Sequence, residues 1–335
     1  MADTDESIKT AGQTKLSAFA RFAWFAVAYN LLVILWGVFL RASHAGDGCG
    51  QHWITCHGEA IPSAPELKTL IEFSHRVTSM LAGFIVIALV IWAFRRFPKR
   101  HLVRRLAVLS LIFIIIEGAI GGGLVLTGNT AGNWTPTRPY WTAGHLINTF
   151  VLMAFLTLTA WYASGPRRLQ FTAPPKVWVL LLVGVAAIFI TGITGSMSAL
   201  STMLFPSETL AEGIAKDFNP DSHILLRLRI LHPIFSIFTA VFLVFLSDAV
   251  KKASGMRASV AKWGNWMAGL VLVQIAWGAA TLLLLAPIIL QLGHLLLADL
   301  IWLAFVLMAA AAISEDDHEP VLQAEPLATS SSSEA

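Results

Sequence analysis

Eight apolar runs, each roughly long enough to cross 30 Å of hydrocarbon as a helix, dominate this chain. Their approximate limits are 17–41, 67–94, 106–127, 140–163, 177–198, 226–249, 263–285 and 288–313. Hydrocarbon offers a backbone no hydrogen-bond partner, so each run has to be helical. The expectation is an all-α integral membrane protein with eight transmembrane helices. Composition agrees: 56% of the 335 residues are hydrophobic, 13% are charged, and the charges gather between the runs, unlike a water-soluble protein of this size. Little more than Ala286-Pro287 joins the last two runs, which predicts a tight helical hairpin.

Lys and Arg set the orientation. Arg95, Arg96, Lys99, Arg100, Arg104 and Arg105 follow the second run; Arg167, Arg168 and Lys176 follow the fourth; Lys251, Lys252, Arg257 and Lys262 follow the sixth. These connections are expected to be cytoplasmic. The alternate ones, 42–66, 128–139 and 199–225, are longer and poorer in positive charge and are expected to face outward, so both termini lie inside. Residues 1–16 read as a polar cytoplasmic segment with Asp3, Asp5 and Glu6, without the pattern of a cleaved signal peptide. Residues 314–335, with Glu315-Asp316-Asp317 and Ser330 to Ser333, read as a disordered, solvated cytoplasmic tail. The net charge of +3 comes from the cytoplasmic clusters and gives no support to nucleic-acid binding; the partner implied is membrane lipid.

Four histidines recur in register. Glu72-Phe-Ser-His75-Arg aligns with Arg229-Ile-Leu-His232-Pro, and Ala143-Gly-His145-Leu with Leu292-Gly-His294-Leu. Separations within each half are similar, 145 − 75 = 70 and 294 − 232 = 62. The third run carries Glu117-Gly118 where the seventh carries Gln274, followed by Gly278-Ala279-Ala280. The chain therefore reads as two pseudo-symmetric four-helix bundles, 17–163 and 177–313. All four histidines lie one to two turns inside helices that start on the outer face, so they share a depth and can meet. Two facing imidazoles can hold a haem iron from both sides, and small residues such as Gly121-Gly122-Gly123 let a flat ring or a helix come close. The plain alternative is a polar group hydrogen-bonded to the next helix. Zinc or copper fits less well, because neither half has closely spaced His, Cys and carboxylate ligands.

The halves differ around these histidines. Glu72 shares a helix face with His75, where a carboxylate is placed to move protons or stabilise a cationic intermediate; its alternative role is an ion pair with Arg76. Arg229, at the matching position, suits a haem propionate. The first outer loop holds the chain's two cysteines, Cys49 and Cys56, which outside the membrane can form a disulfide, either structural or redox-active. His44, His52 and His57 beside them are metal candidates or solvated loop residues, and Glu117 is either a haem-pocket and proton-path residue or a hydrogen-bond partner of the adjacent helix.

Taken together, the two repeats, Glu72-x-x-His75-Arg, Gly144-His145, His232-Pro233, Gly293-His294 and the loop cysteine pair resemble the haem A synthase family of bacteria and mitochondria, in its cysteine-containing bacterial branch. The resemblance covers roughly residues 17–313. It implies oxidation of the C8 methyl group of haem O to the formyl group of haem A, by two hydroxylations and loss of water, for terminal cytochrome oxidases. It further implies that His75 and His145 bind haem O or haem A, that Glu72 is catalytic, and that His232 and His294 hold haem b as an electron-transfer cofactor. Cys49 and Cys56 would serve disulfide exchange or haem transfer. Implied partners are a haem O synthase as donor, an electron donor of unspecified identity, and cytochrome oxidase or its assembly factors as acceptor. Two other readings use the same residues: a quinol-linked di-haem cytochrome b that modifies no haem, and a repeat-built transporter with a histidine proton relay.

Overall fold

The structure is a computed structural model and describes residues 16–130, 132, 134–169 and 173–316. Segment 1–16, apart from Leu16, and the tail beyond Asp316 lie outside the described residues. Among the described residues, eight helices are long and apolar enough to cross a membrane. They are α1 (Ala18–Ala42), α2 (Leu67–Arg96), α3 (Leu102–Leu126), α4 (Arg138–Ala163), α5 (Pro175–Leu204), the paired α7 (Ile224–Arg229) and α8 (Leu231–Ala253), α9 (Ala258–Leu283) and α10 (Ile288–Ala312). A short helix, α6 (Leu210–Phe218), lies in the loop before α7.

Local chemistry explains the ends. Ser17 caps α1 by accepting from the Ala20 amide at 3.1 Å. Pro139 and Pro175 sit in first turns, where a missing N–H costs nothing. Pro233 cannot donate to the Arg229 carbonyl, and its ring crowds that oxygen, so the sixth span breaks at Ile230 into α7 and α8. Several helices outrun the apolar runs: α3 takes in Arg104 and Arg105, and α9 takes in Lys262. Arg104 lies 3.9 Å over the Phe94 ring. Hydropathy marks the hydrocarbon-crossing part of a helix, while the helix itself continues into the interface. The hairpin expected at the end is present: α9 and α10 are joined by Leu284 to Pro287, with Leu285 and Ala286 in the left-handed region.

Packing follows the repeat with one difference. Within the first half α1 lies on α2 and α4, α2 on α3, and α3 on α4; within the second α5 lies on α8, α8 on α9, and α9 on α10. The second half does not close on itself in the same way, because α10 lies mainly across α4 and α1 instead of α5. The fourth helix of each half thus forms the seam: 56% of the apolar window of α4 and 67% of that of α10 is buried, against 11–28% elsewhere. At the seam Trp302 stacks on Phe150 with centroids 5.6 Å apart and donates its indole N–H to the Phe150 carbonyl at 2.7 Å. Large apolar side chains such as Phe84, Phe238, Phe245 and Leu272 point outward, as lipid-facing surfaces do.

Three residues expected in the tail belong to a strand. Ser314–Asp316 form β2, antiparallel to β1 (Arg167–Leu169), with Arg167 opposite Asp316. Tyr162 hydroxyl meets Ser314 Oγ at 2.7 Å, and Arg257 donates to the carbonyls of Ala312 and Ser314. The ladder ties the connection after α4 to the end of α10, a long-range pairing that composition cannot reveal.

Gly184 of α5 accommodates the Phe305 ring: a Cβ there would stand 2.6 Å from Phe305 Cε2 and 3.0 Å from Leu246 Cδ1. Gly184→Leu should therefore destabilise the second half by about 1–3 kcal/mol or more, read as a lower thermal midpoint in detergent; an unchanged midpoint would show that this seam can yield.

Candidate functional site

The four histidines take up equivalent depths. Counted from the first residue of each span, they come 8 (75 − 67), 7 (145 − 138), 8 (232 − 224) and 6 (294 − 288) residues later. At about 1.5 Å per residue this is roughly 9–12 Å from the starts of those helices. In the second half His232 and His294 face each other, with ring centroids 6.1 Å apart and planes at 90°. A metal ion bonded to two imidazole nitrogens at about 2 Å each needs ring centroids roughly 6 Å apart. The pair meets that requirement. In the first half His145 and Glu117 both lie within electrostatic range of His75.

Glycines make room for these rings. A Cβ on Gly37 of α1 would stand 3.0 Å from His75 Cε1, and one on Gly195 of α5 would stand 2.9 Å from His232 Cε1. These two positions match in the repeat, 38 (75 − 37) and 37 (232 − 195) residues before their histidines. Sequence reasoning missed them; the nearly constant offset from each histidine was the available signal. On α9, Gly278 does the same for His294, at 3.0 Å from Cε1. The hydrogen-bonded alternative differs from ring to ring: the buried Nδ1 atoms of His75 and His294 have no hydrogen-bond partner, whereas His145 Nδ1 lies 3.5 Å from Glu117 Oε1 and His232 Nδ1 lies 3.3 Å from Ser236 Oγ. His145 is nonetheless 37% exposed, so its accessible surface lies away from Nδ1. A cleft of about 390 Å³ between α3 and the start of α4 is lined by Ile120, Thr137, Tyr140, Trp141 and Gly144.

Glu72 sits one turn outward of His75 and is 3% exposed. The structure gives it the ion pair with Arg76, and its Oε2 accepts from the Cys49 amide at 2.8 Å. Both carboxylate oxygens are engaged by the outer loop and its anchor. Arg76 in turn donates to the carbonyls of His52 (2.6 Å) and Thr55 (2.7 Å). Thr69 Oγ1 donates to the Gly48 carbonyl at 2.6 Å, and His57 bonds the same oxygen at 2.8 Å. Gly48 is needed here, because a Cβ would lie 2.4 Å from the Lys68 backbone. Cys49 and Cys56 form a disulfide, with both residues buried at 0% and 1% exposure. Trp53 extends from this loop onto α3, where a Cβ at Gly122 would stand 2.5 Å from its ring. The loop thus lies across the start of α2, the helix that carries His75, and the end of α3. Among the described residues no group of three or more His, Cys, Asp or Glu could hold a metal, so His44, His52 and His57 form no such cluster.

Arg229, matched to Glu72, also secures its outer loop. Its guanidinium pairs with Asp217 of α6 at 2.7 Å and donates to the Gly213 carbonyl at 3.1 Å, so the contacts it makes are with α6 and not with the histidine pair. Thr209 caps α6 by accepting from the Glu212 amide, and Ile214 and Phe218 remain exposed on this helix. Glu117 and Gln274 correspond as the repeat predicts. Each reaches the fourth-helix histidine of its own half.

Residues 20–306 match the family described as COX15-CtaA: Cytochrome oxidase assembly protein. A Thermus thermophilus protein named Protoheme IX farnesyltransferase is 41% identical over 299 residues, 89% of this chain and 49% of that protein. The chain thus spans about half the length of that curated relative. Shorter matches link it to proteins named Heme A synthase: 41% identity over 107 residues in Exiguobacterium sp., covering 32% of this chain and 36% of the relative, and 39% over 100 residues in Halalkalibacterium halodurans, covering 30% and 34%.

The clamp on the outer loop can be tested directly. A buried hydrogen bond to a charged group contributes about 1.5–3 kcal/mol, so Arg76→Ala should speed reduction of Cys49–Cys56 by a mild thiol roughly tenfold or more. Alkylation of the released thiols followed by mass measurement reads this, and equal rates in both proteins would remove Arg76 from that role.

Proposed function

Since this chain belongs to the COX15-CtaA family of cytochrome oxidase assembly proteins, we propose that it makes haem A, oxidising the C8 methyl group of haem O to a formyl group. The observation that carries this reading is the facing histidine pair, 6.1 Å between centroids, together with its repeat-related counterpart. His75 and His145 hold the iron of the substrate haem O, and later of haem A, from both sides. His232 and His294 would hold haem b. Bound haem b supplies one-electron transfer to and from the substrate site.

The chain's own residues orient and enclose. Gly37, Gly195 and Gly278 let three of the imidazoles sit close against neighbouring backbone, which fixes their rotation. Two axial histidines fix the plane of the substrate ring and so the location of its methyl groups, the positional control on which rates depend steeply. Glu72 and Arg76 hold the disulfide loop over the start of α2, with Trp53 against α3, and this cover keeps outer water from the reacting edge. Glu72 therefore acts through the cover that it holds, and Arg229 does the corresponding work for α6. The cleft beside Gly144 gives a prenyl tail an apolar way in from the bilayer.

The partners follow from the same chemistry. The Thermus relative is named for farnesyl transfer to protohaem IX, and a farnesylated haem is the kind of substrate proposed here. The donor is accordingly a haem O synthase and the acceptor cytochrome oxidase or its assembly factors. The protein works in the bacterial cytoplasmic membrane with both termini inside.

Pigments extracted from protein purified out of cells that also make haem O, then separated by chromatography, test the reading. Haem A or haem O should accompany haem b; haem b alone would favour the electron-carrying cytochrome and sink the synthase. His232→Ala and His294→Ala should lose haem b. Glu72→Gln should keep haem b but lower haem A formation by about 10- to 100-fold; full activity would remove Glu72 from the mechanism.

A further inference from the structure

The two halves diverge most sharply at one matched pair on their third membrane helices. In the first half, Glu117 of α3 brings Oε1 to within 3.5 Å of His145 Nδ1. The carboxylate is itself held in place: the Thr149 hydroxyl donates to Oε1, and the Asn148 amide donates both to Oε2 and, at 2.9 Å, to the Phe113 carbonyl. Thr149 and Asn148 follow His145 by four and three residues, so α4 supplies the imidazole and the two groups that aim its partner. In the second half the corresponding residue is neutral. Gln274 of α9 donates to the His294 backbone carbonyl at 3.0 Å and stands 3.5 Å from Nε2, while His294 Nδ1 has no hydrogen-bond partner. Asn148 and Thr149 have no polar counterparts either, since Leu297 and Ala298 occupy those places.

A carboxylate beside the second nitrogen of a metal-bound imidazole does two things. It fixes the tautomer and rotation of the ring, and it makes the ring a stronger electron donor. A stronger axial donor favours the oxidised iron and lowers its reduction potential. We propose that Glu117 is a positioning residue which accepts the Nδ1–H of His145 and makes the iron site of the first half the more easily oxidised, a bias that Gln274 does not give to the second half. This rests on the reading of the four histidines as haem ligands. The device explains why a half-buried carboxylate is kept at a membrane depth where an amide serves the other half, and why α4 surrounds it with donors. It also gives the site read as changing its haem an electronic environment distinct from the one read as keeping its haem.

The test is a spectroelectrochemical redox titration of protein purified with its haems from cells that make haem O. Glu117→Gln, close in shape but uncharged, should raise the midpoint potential of the first-half haem and leave that of the second unchanged, whereas Glu117→Asp should restore part of the wild-type value. A first-half potential that stays put in Glu117→Gln, or a shift shared equally by both haems, would overturn the proposal. Should Glu117→Gln fail to assemble, Thr149→Val, which takes the hydroxyl away from the carboxylate and from the His145 backbone carbonyl, should shift the same haem upward; a Thr149→Val protein with both haems and no shift overturns the proposal equally. Wild-type protein without haem in the first half would instead overturn the ligand assignment, and the inference with it.

Discussion

An imidazole about two turns inside a membrane helix has left water behind, and its nitrogens must find partners in the protein or in something the protein binds. The surrounding structure is arranged around that requirement. Helices α2, α4, α8 and α10 all start on one face, so their histidines arrive at one depth. Neighbouring helices give up side chains at Gly37, Gly195 and Gly278 to let three of the rings come close. The buried Nδ1 atoms of His75 and His294 remain without hydrogen-bond partners, and His232 faces His294 at a separation suited to a metal between them. Four polar rings set in apolar helices at repeat-related positions are costly unless bound groups complete them.

The residues outward of the histidines solve a second problem, the closing of each site toward water. Glu72 and Arg229 occupy matching positions with opposite charges, yet they act alike. Glu72 secures the disulfide loop through Arg76 and the Cys49 amide; Arg229 secures α6 through Asp217 and the Gly213 carbonyl. A duplicated scaffold keeps the place of an anchor and changes its chemistry to suit the loop it has to hold.

Much of this was legible in the sequence, for identifiable reasons. Apolar run length and backbone satisfaction in lipid yield the eight spans, and positional recurrence yields the histidine pairs, the Glu117–Gln274 correspondence and the hairpin at Ala286-Pro287. What the sequence hid depends on partners distant in the chain. Nothing local to Arg229 announces Asp217, and nothing in Ser314-Glu315-Asp316 announces Arg167–Leu169. The asymmetry between Glu72 and Arg229 was visible, but the side on which each side chain is used was not, because a residue three before a histidine can turn toward the ring or toward the loop above it. Gly37 and Gly195 read as ordinary small residues of membrane helices until the rings beside them are located.

The seam between the halves explains how two copies of one scaffold can hold such different sites. α4 and α10 carry the fourth-helix histidines and also form the shared core, where Trp302 bonds to the backbone of Phe150 and lies flat against its ring. Phe150 follows His145 by five residues, and Trp302 follows His294 by eight. The same two helices therefore fix the relation of the halves at mid-membrane and present the ligands nearer the outer face. The differences around the two histidine pairs, such as Glu117 for Gln274 or Asn148 and Thr149 for Leu297 and Ala298, lie at positions other than the Trp302–Phe150 contact. A packed seam below and separate covers above let each site change its electrostatics without moving the other.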